Sequence, residues 1–226
     1  MRETFERELR QLEGELLALG SMVKEALLAA VGALRRRDAV EAQRLVAQDD
    51  LINERRYAVE SAALVLIATQ QPLAGDLRTI AAVLEISTEL ERIGDYAKGI
   101  ARISLGIGDE PLLKPLVDIP KMARIAASML HRALDAFVRR DEPLARAIPR
   151  EDAEVDRLYD QVYRDLLDRI VADPRNIDRA THLLWVAHNL ERAADRVTNI
   201  CERVVFTVTG EMIELDEGEG ATDLAG

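Results

Sequence analysis

The sequence predicts an all-α protein made of two tandem three-helix bundles, elongated and related by a pseudo-twofold. Three observations carry that reading. Nearly half of the 226 residues are apolar but only 4 % are aromatic, so Ala and Leu carry the core. That composition suits long packed helices better than a β-sandwich or barrel. Apolar residues recur in alternating steps of four and three, the seam of a coiled-coil-like bundle. The third observation is that the chain repeats itself.

With residue 38 set against residue 141, "ALLAAVGALRRRD" (26–38) falls on "MLHRALDAFVRRD" (129–141). The same offset of 103 carries Asp49 onto Asp152, Ile52 onto Val155 and Asn53 onto Asp156. It becomes 102 at Pro72 and Pro174, then 100 at "LERIGDYAKGIARI" (90–103) and "LERAADRVTNICERV" (190–204). The slips fall near the proline breaks, where connecting segments tolerate insertions.

Each repeat divides into three helices. In the first helix Phe5, Leu9, Leu12, Leu16, Leu19, Val23, Ala26 and Ala30 form the seam. "RRRD" ends it, with arginines favoured at the negative C-terminus and Asp38 placed to cap the next helix. The second helix runs to about Gln70, where Pro72 stops it. The third runs from Leu73 or Asp76 to about Leu105, and "GIGDEPLLKP" (106–115) is the linker. The second half repeats this at about 116–140, 142–172 and 176–209, with Pro149 expected to kink or break its helix. Leu183, Ala187, Leu190, Ala194, Val197, Cys201, Val204 and Val208 make the last seam, and Trp185 is expected to pack. Residues 1–112 and 113–210 are then the two repeats, followed by an acidic tail, 211–226. The stretch after Leu215, "DEGEGATDLAG", has a disordered composition.

A net charge of −11 makes nucleic acid a poor partner, because phosphate backbones attract basic faces. One cysteine, Cys201, allows no intrachain disulfide, and as a seam residue it reads as a small buried hydrophobe. The N-terminus lacks the apolar core of a signal peptide. The longest uninterrupted apolar run, "AALVLIA" (62–68), falls far short of the roughly 20 residues of a membrane span. A cytoplasmic location is therefore expected.

The repeated phrases place Glu91 with Asp95, and Glu191 with Asp195, four residues apart on one helical face. Like charges so placed repel by roughly 0.2–0.5 kcal/mol per pair. Two residue-level answers are open. Convergent carboxylates suit a hard cation with oxygen preference, and "DDLIN" (49–53) and "EDAEVD" (151–156) offer further oxygens from the preceding helix. Alternatively, Arg92 and Arg192, three residues before each aspartate, neutralise the acids directly. His188 stands three before Glu191, but its counterpart is Thr88. No phosphate loop, serine nucleophile setting or zinc spacing is present.

The phrases "ATQQPLAGDLRTI", "STELERIGDYAKGIA", "PREDAEVDRLY" and "HNLERAADRVTNICE", in this order on a duplicated three-helix layout, resemble the PhoU family of phosphate-uptake regulators over about residues 4–209. The resemblance implies an adaptor, not an enzyme. Such proteins serve with the ATPase subunit of the phosphate-specific ABC transporter and a sensor histidine kinase, repressing phosphate-starvation genes when phosphate is plentiful. It further implies a homodimer, peripheral to the membrane through protein partners only. Some members carry iron or other metal clusters on E(D)XXXD motifs, and others are metal-free. Here iron, manganese or zinc would fall on Glu91, Asp95, Asp49 and Asn53, and on Glu191, Asp195, Asp152 and Asp156. Asp76, Arg78 and Arg150 would contact partners. The family tends to write ERIGDHAVNI; here Tyr96 and Arg196 replace the histidine and Gly99 one asparagine. Arg192 and Arg196 beside the second motif make the first the better candidate. The rival reading is a metal-dependent carboxylate enzyme or metal-storage protein, disfavoured by the lack of paired Glu-x-x-His.

Overall fold

Residues 2–108 and 110–215 are described by a computed structural model, and among them there are helices and turns but no strand. The helices are α1 (Arg2–Arg36), α2 (Ala39–Gln70), α3 (Ala74–Ile107), α4 (Asp118–Arg139), α5 (Glu142–Ala147), α6 (Asp152–Ala172) and α7 (Ile177–Thr209). The longest are about 50 Å from end to end at 1.5 Å per residue. α1, α2 and α3 form the first bundle, and α4, α6 and α7 the second.

The helix boundaries follow local chemistry, and the two repeats share it. Asp38 Oδ1 accepts from the Glu41 amide at 3.0 Å, and Asp141 Oδ1 accepts from the Leu144 amide at the same distance. The residue before each cap is an arginine in the left-handed region, Arg37 at φ 56° and Arg140 at φ 57°. A side chain there is unfavourable by roughly 1–2 kcal/mol. The Arg140 guanidinium offsets this by pairing with Glu13 at 2.9 Å and lying over the Phe137 ring. Pro149 breaks its helix as expected: α5 stops after six residues, and a 3₁₀ turn, Ile148–Glu151, leads into α6.

The α1 seam is correct in spacing, with one slip. Leu12, Leu16, Leu19, Val23 and Ala30 are almost wholly buried, but Leu27 takes the core position expected of Ala26. A straight helix at 3.6 residues per turn drifts from a strict 3.5 repeat, and the larger side chain occupies the resulting space. By length and composition α1 could cross a membrane. Its apolar residues instead fill the first bundle core.

The bundles join through α3 against α7 and α1 against α4. Glu85 pairs with Arg203 and Glu89 with Asn199, while Gly99 lies against Asn189, so α3 and α7 run antiparallel. At the repeat offset of 100, the pairs 89–199 and 99–189 are images of one another, as a pseudo-twofold requires. On the other side Gly20 brings α1 close to α4: a β-carbon there would stand 2.1 Å from Leu134 Cδ1. Lys114 pins the linker, its nearly buried ammonium bonded to Asp165 and 4.0 Å from Asp118.

After α7, Ile213 and Leu215 pack on the core, and the Leu215 amide donates to Glu202 Oε1 at 3.0 Å. The first five residues of the acidic tail thus stay on the bundle. The stretch expected to be disordered, 216–226, lies outside the described residues.

The matched caps make a direct prediction. Asp38→Ala and Asp141→Ala should each lower stability by about 1 kcal/mol in urea unfolding, and the double variant by about the sum.

Candidate functional site

In each bundle the start of the second helix faces the far part of the third, because the helices are antiparallel. In the first, Asp49 meets Lys98 and Ile52 meets Gly94. Gly94 allows this close approach, since a β-carbon would stand 3.2 Å from Ile52 Cγ2. In the second, Asp156 and Tyr159 of α6 face Glu191 and His188 of α7. Asp49 and Asp95 are thus brought near Glu91 in the first repeat, and Asp156 and Asp195 near Glu191 in the second.

The two copies differ in what answers the acids. Asp49 is 3 % exposed. It accepts the Lys98 ammonium and, at 3.2 Å, the Asn53 side-chain amide. Burial and then the Asp95 carboxylate push the Glu91 carboxyl up, Arg56 and Arg92 pull it down, and Asp49 adds to the rise. Two basic side chains, Lys98 and Arg56, thus stand inside the first cluster. Neither was singled out from the sequence, although Lys98 follows Glu91 by seven residues, two turns along the same face.

In the second repeat the positions of Lys98 and Arg56 are held by Thr198 and Tyr159. Burial first, then Asp195, raise the Glu191 carboxyl to about 7, with Arg192 opposing and Asp156 reinforcing. Glu191 Oε2 is shielded from solvent and accepts no hydrogen bond, with His188 Nδ1 3.4 Å away. Arg192 does neutralise Asp195, Nη1 to Oδ2 at 2.7 Å. Arg196 does not serve this cluster; it turns into the seam between bundles, to Tyr96 and to Glu89 at 3.5 Å. Asp152, the first residue of α6, is buried, and Asp156 lies one turn on.

Donor chemistry therefore fits a hard cation better in the second repeat than in the first. The first cluster already holds an ammonium on its most buried carboxylate. The second offers an oxygen-rich set around a shielded oxygen. Among the described residues no three acidic, histidine or cysteine side chains stand together as a ready-made metal cage.

The remaining sequence candidates are spread out. Asp76 and Arg78 occupy the first turns of α3, with Arg78 against Gly210 at the end of α7. Arg150 is exposed in the turn before α6. Cys201 is buried in the α7 seam, and burial pushes its thiol up to about 12, which makes it inert. Trp185 does not pack in the core as expected: it is 56 % exposed, edge-on to His188 with ring centroids 5.6 Å apart. It lies on the α7 face opposite the Leu183–Ala187–Leu190 seam.

A raised carboxyl gives stability a definite pH sign. Between about 4.5 and 7 the folded chain keeps the Glu191 proton that the unfolded chain releases, so stability falls as pH rises through this window. The side chain is 23 % exposed, and with solvent screening the loss is on the order of 1–2 kcal/mol. In metal-chelated buffer, Glu191→Gln should raise the melting temperature by several degrees at pH 8 and leave it nearly unchanged at pH 5.

The fold recurs in known proteins. A family model described as the PhoU domain matches residues 16–104 and 119–204, one match per repeat. A phosphate-specific transport system accessory protein PhoU homolog from Clostridium acetobutylicum is 34 % identical over 217 residues, 96 % of this chain and 99 % of the relative. A homolog of the same name from Caulobacter vibrioides is 37 % identical over 92 % of this chain and 91 % of its own. Crystal structures of the PhoU phosphate transport system regulatory protein from Streptococcus pneumoniae and of PhoU from Pseudomonas aeruginosa superpose with a TM-score of 0.86 each. They are 32 % and 34 % identical, cover 92 % of this chain, and are matched over 99 % and 100 % of their own length. The family comprises accessory and regulatory proteins rather than enzymes. With both repeats matched in register and relatives aligned over nearly their whole length, the chain belongs to the PhoU family.

Proposed function

We propose that this protein is a cytoplasmic negative regulator accessory to phosphate-specific transport. It acts by contact as an adaptor between the transporter's ATPase subunit and a sensor histidine kinase. The observation that carries this reading is full-length similarity, over both repeats, to relatives named as phosphate-specific transport system accessory proteins. The architecture supports it physically. Two similar bundles back to back present two similar outer faces, α2 on one and α6 on the other, so one chain can meet two partners. Asp76, Arg78 and Arg150 are the polar contacts assigned to those meetings, and a homodimer would double the faces available.

Cation binding is a separate part of the proposal and rests on the second repeat. There Glu191, Asp195, Asp152 and Asp156 would hold iron, manganese or zinc, whose charge would relieve the repulsion around Glu191. A double variant, Glu191→Gln with Asp195→Asn, should lower the metal recovered with the purified protein. Unchanged metal content would remove this part and leave the adaptor role standing.

The regulatory role has its own test. Deleting the gene should switch on phosphate-starvation genes in phosphate-rich medium, and an affinity pull-down of the tagged protein should recover the transporter ATPase and the kinase. Normal repression in the deletion strain would overturn the proposal.

A further inference from the structure

The two repeats carry the same acid motif but different cations, and the difference lies at two positions. Asp49 is the most deeply buried carboxylate of the first cluster, at 3 % exposed. An ionised group so buried is stable only with a partner and satisfied hydrogen bonds. It has both, in the Lys98 ammonium and the Asn53 amide. The Arg56 guanidinium acts on Glu91 from the same helix, one turn beyond Asn53, while pairing with Glu60 at 3.5 Å. At the equivalent places the second repeat has Thr198, wholly buried, and Tyr159, neither of which brings a positive charge.

We infer that Lys98 is a resident cation: its ammonium occupies the place on Asp49 that a divalent ion shared with Glu91 and Asp95 would take, so the first repeat binds no metal and its motif is a structural ion pair. The inference rests on reading these acid clusters as cation sites. A divalent ion placed on Asp49 would first have to displace a paired, largely enclosed ammonium, and would then face two positive side chains within the cluster. The duplicated motif has therefore divided its work. The first copy ties α2 to α3 through Asp49 and Lys98 regardless of metal supply, and any response to metal is left to the second copy.

The test uses the full-length chain, stripped with chelator and dialysed against manganese(II), with bound manganese and melting temperature measured together. Wild type and the Glu91→Gln/Asp95→Asn variant should bind equal manganese and show the same manganese-dependent shift in melting. Lys98→Met should melt several degrees lower without metal. Added manganese should restore it, with extra manganese bound that disappears when Glu91→Gln/Asp95→Asn is combined with it. Lys98→Thr, which copies the second repeat, should behave likewise. Loss of manganese from Glu91→Gln/Asp95→Asn in the wild-type background would overturn the inference, and so would Lys98 variants that neither lose stability nor gain manganese. Should the Lys98 variants fail to fold, the comparison of wild type with Glu91→Gln/Asp95→Asn decides alone. A wild type that binds no manganese would sink the metal reading of the second repeat, while the gain on replacing Lys98 still decides this one.

Discussion

α3 and α7 each have to bury an apolar stripe in their own bundle while meeting one another across the pseudo-twofold. Leu90, Ile93, Ala97 and Ile100 face the first core, and Leu190, Ala194, Val197 and Cys201 face the second. Burying side chains of this size is worth roughly 1.5–3 kcal/mol each for the larger ones, so the rotation of both helices is fixed by their cores. Once that rotation is set, everything one step outside the seam is placed as well. Glu89, Arg196 and Asn199 are turned toward the opposite bundle, while Glu91, Asp95, Glu191 and Asp195 are left on the shoulders. The acid pairs sit where they do because the seams leave them no other face.

The second helix of each repeat then supplies the chemistry that distinguishes the copies. α2 approaches α3 closely at Gly94, which brings Asp49 and Arg56 up to the acids. α6 brings Asp156 and Tyr159 to Glu191. The same backbone arrangement thus hosts a compensated cluster in one repeat and a strained one in the other. Burial without a full set of partners raises Glu191, whereas Asp49, more deeply buried, is matched by Lys98. The two halves therefore differ in how their acids are answered, and the difference lies in side chains alone.

Much of the fold was legible in order. The apolar rhythm places every long helix to within a few residues, the paired Asp38 and Asp141 caps stand where the repeat puts them, and Pro149 breaks its helix. The failures have physical causes. Leu27 replaces Ala26 because seam spacing on a real helix drifts, and Trp185 is exposed because, two positions from both Leu183 and Ala187, it lies on the opposite side of the helix. Arg196 was read beside the second acid pair by adjacency in sequence. In the structure its long side chain reaches the other bundle, a contact between residues more than a hundred positions apart.

By itself, the sequence determined the helices, their duplication, their seams and which carboxylates share a face, because these depend on periodicities of a few residues. The local Arg192–Asp195 pair was within its reach too, but which cations answer Asp49 and Glu91 was decided only by tertiary structure. Lys98 and Asp49 are 49 residues apart and Arg56 and Glu91 are 35, and only antiparallel packing brings them together. The phrase repeated at 90 and 190 therefore marks one place in two bundles, while packing gives the two copies different chemistry.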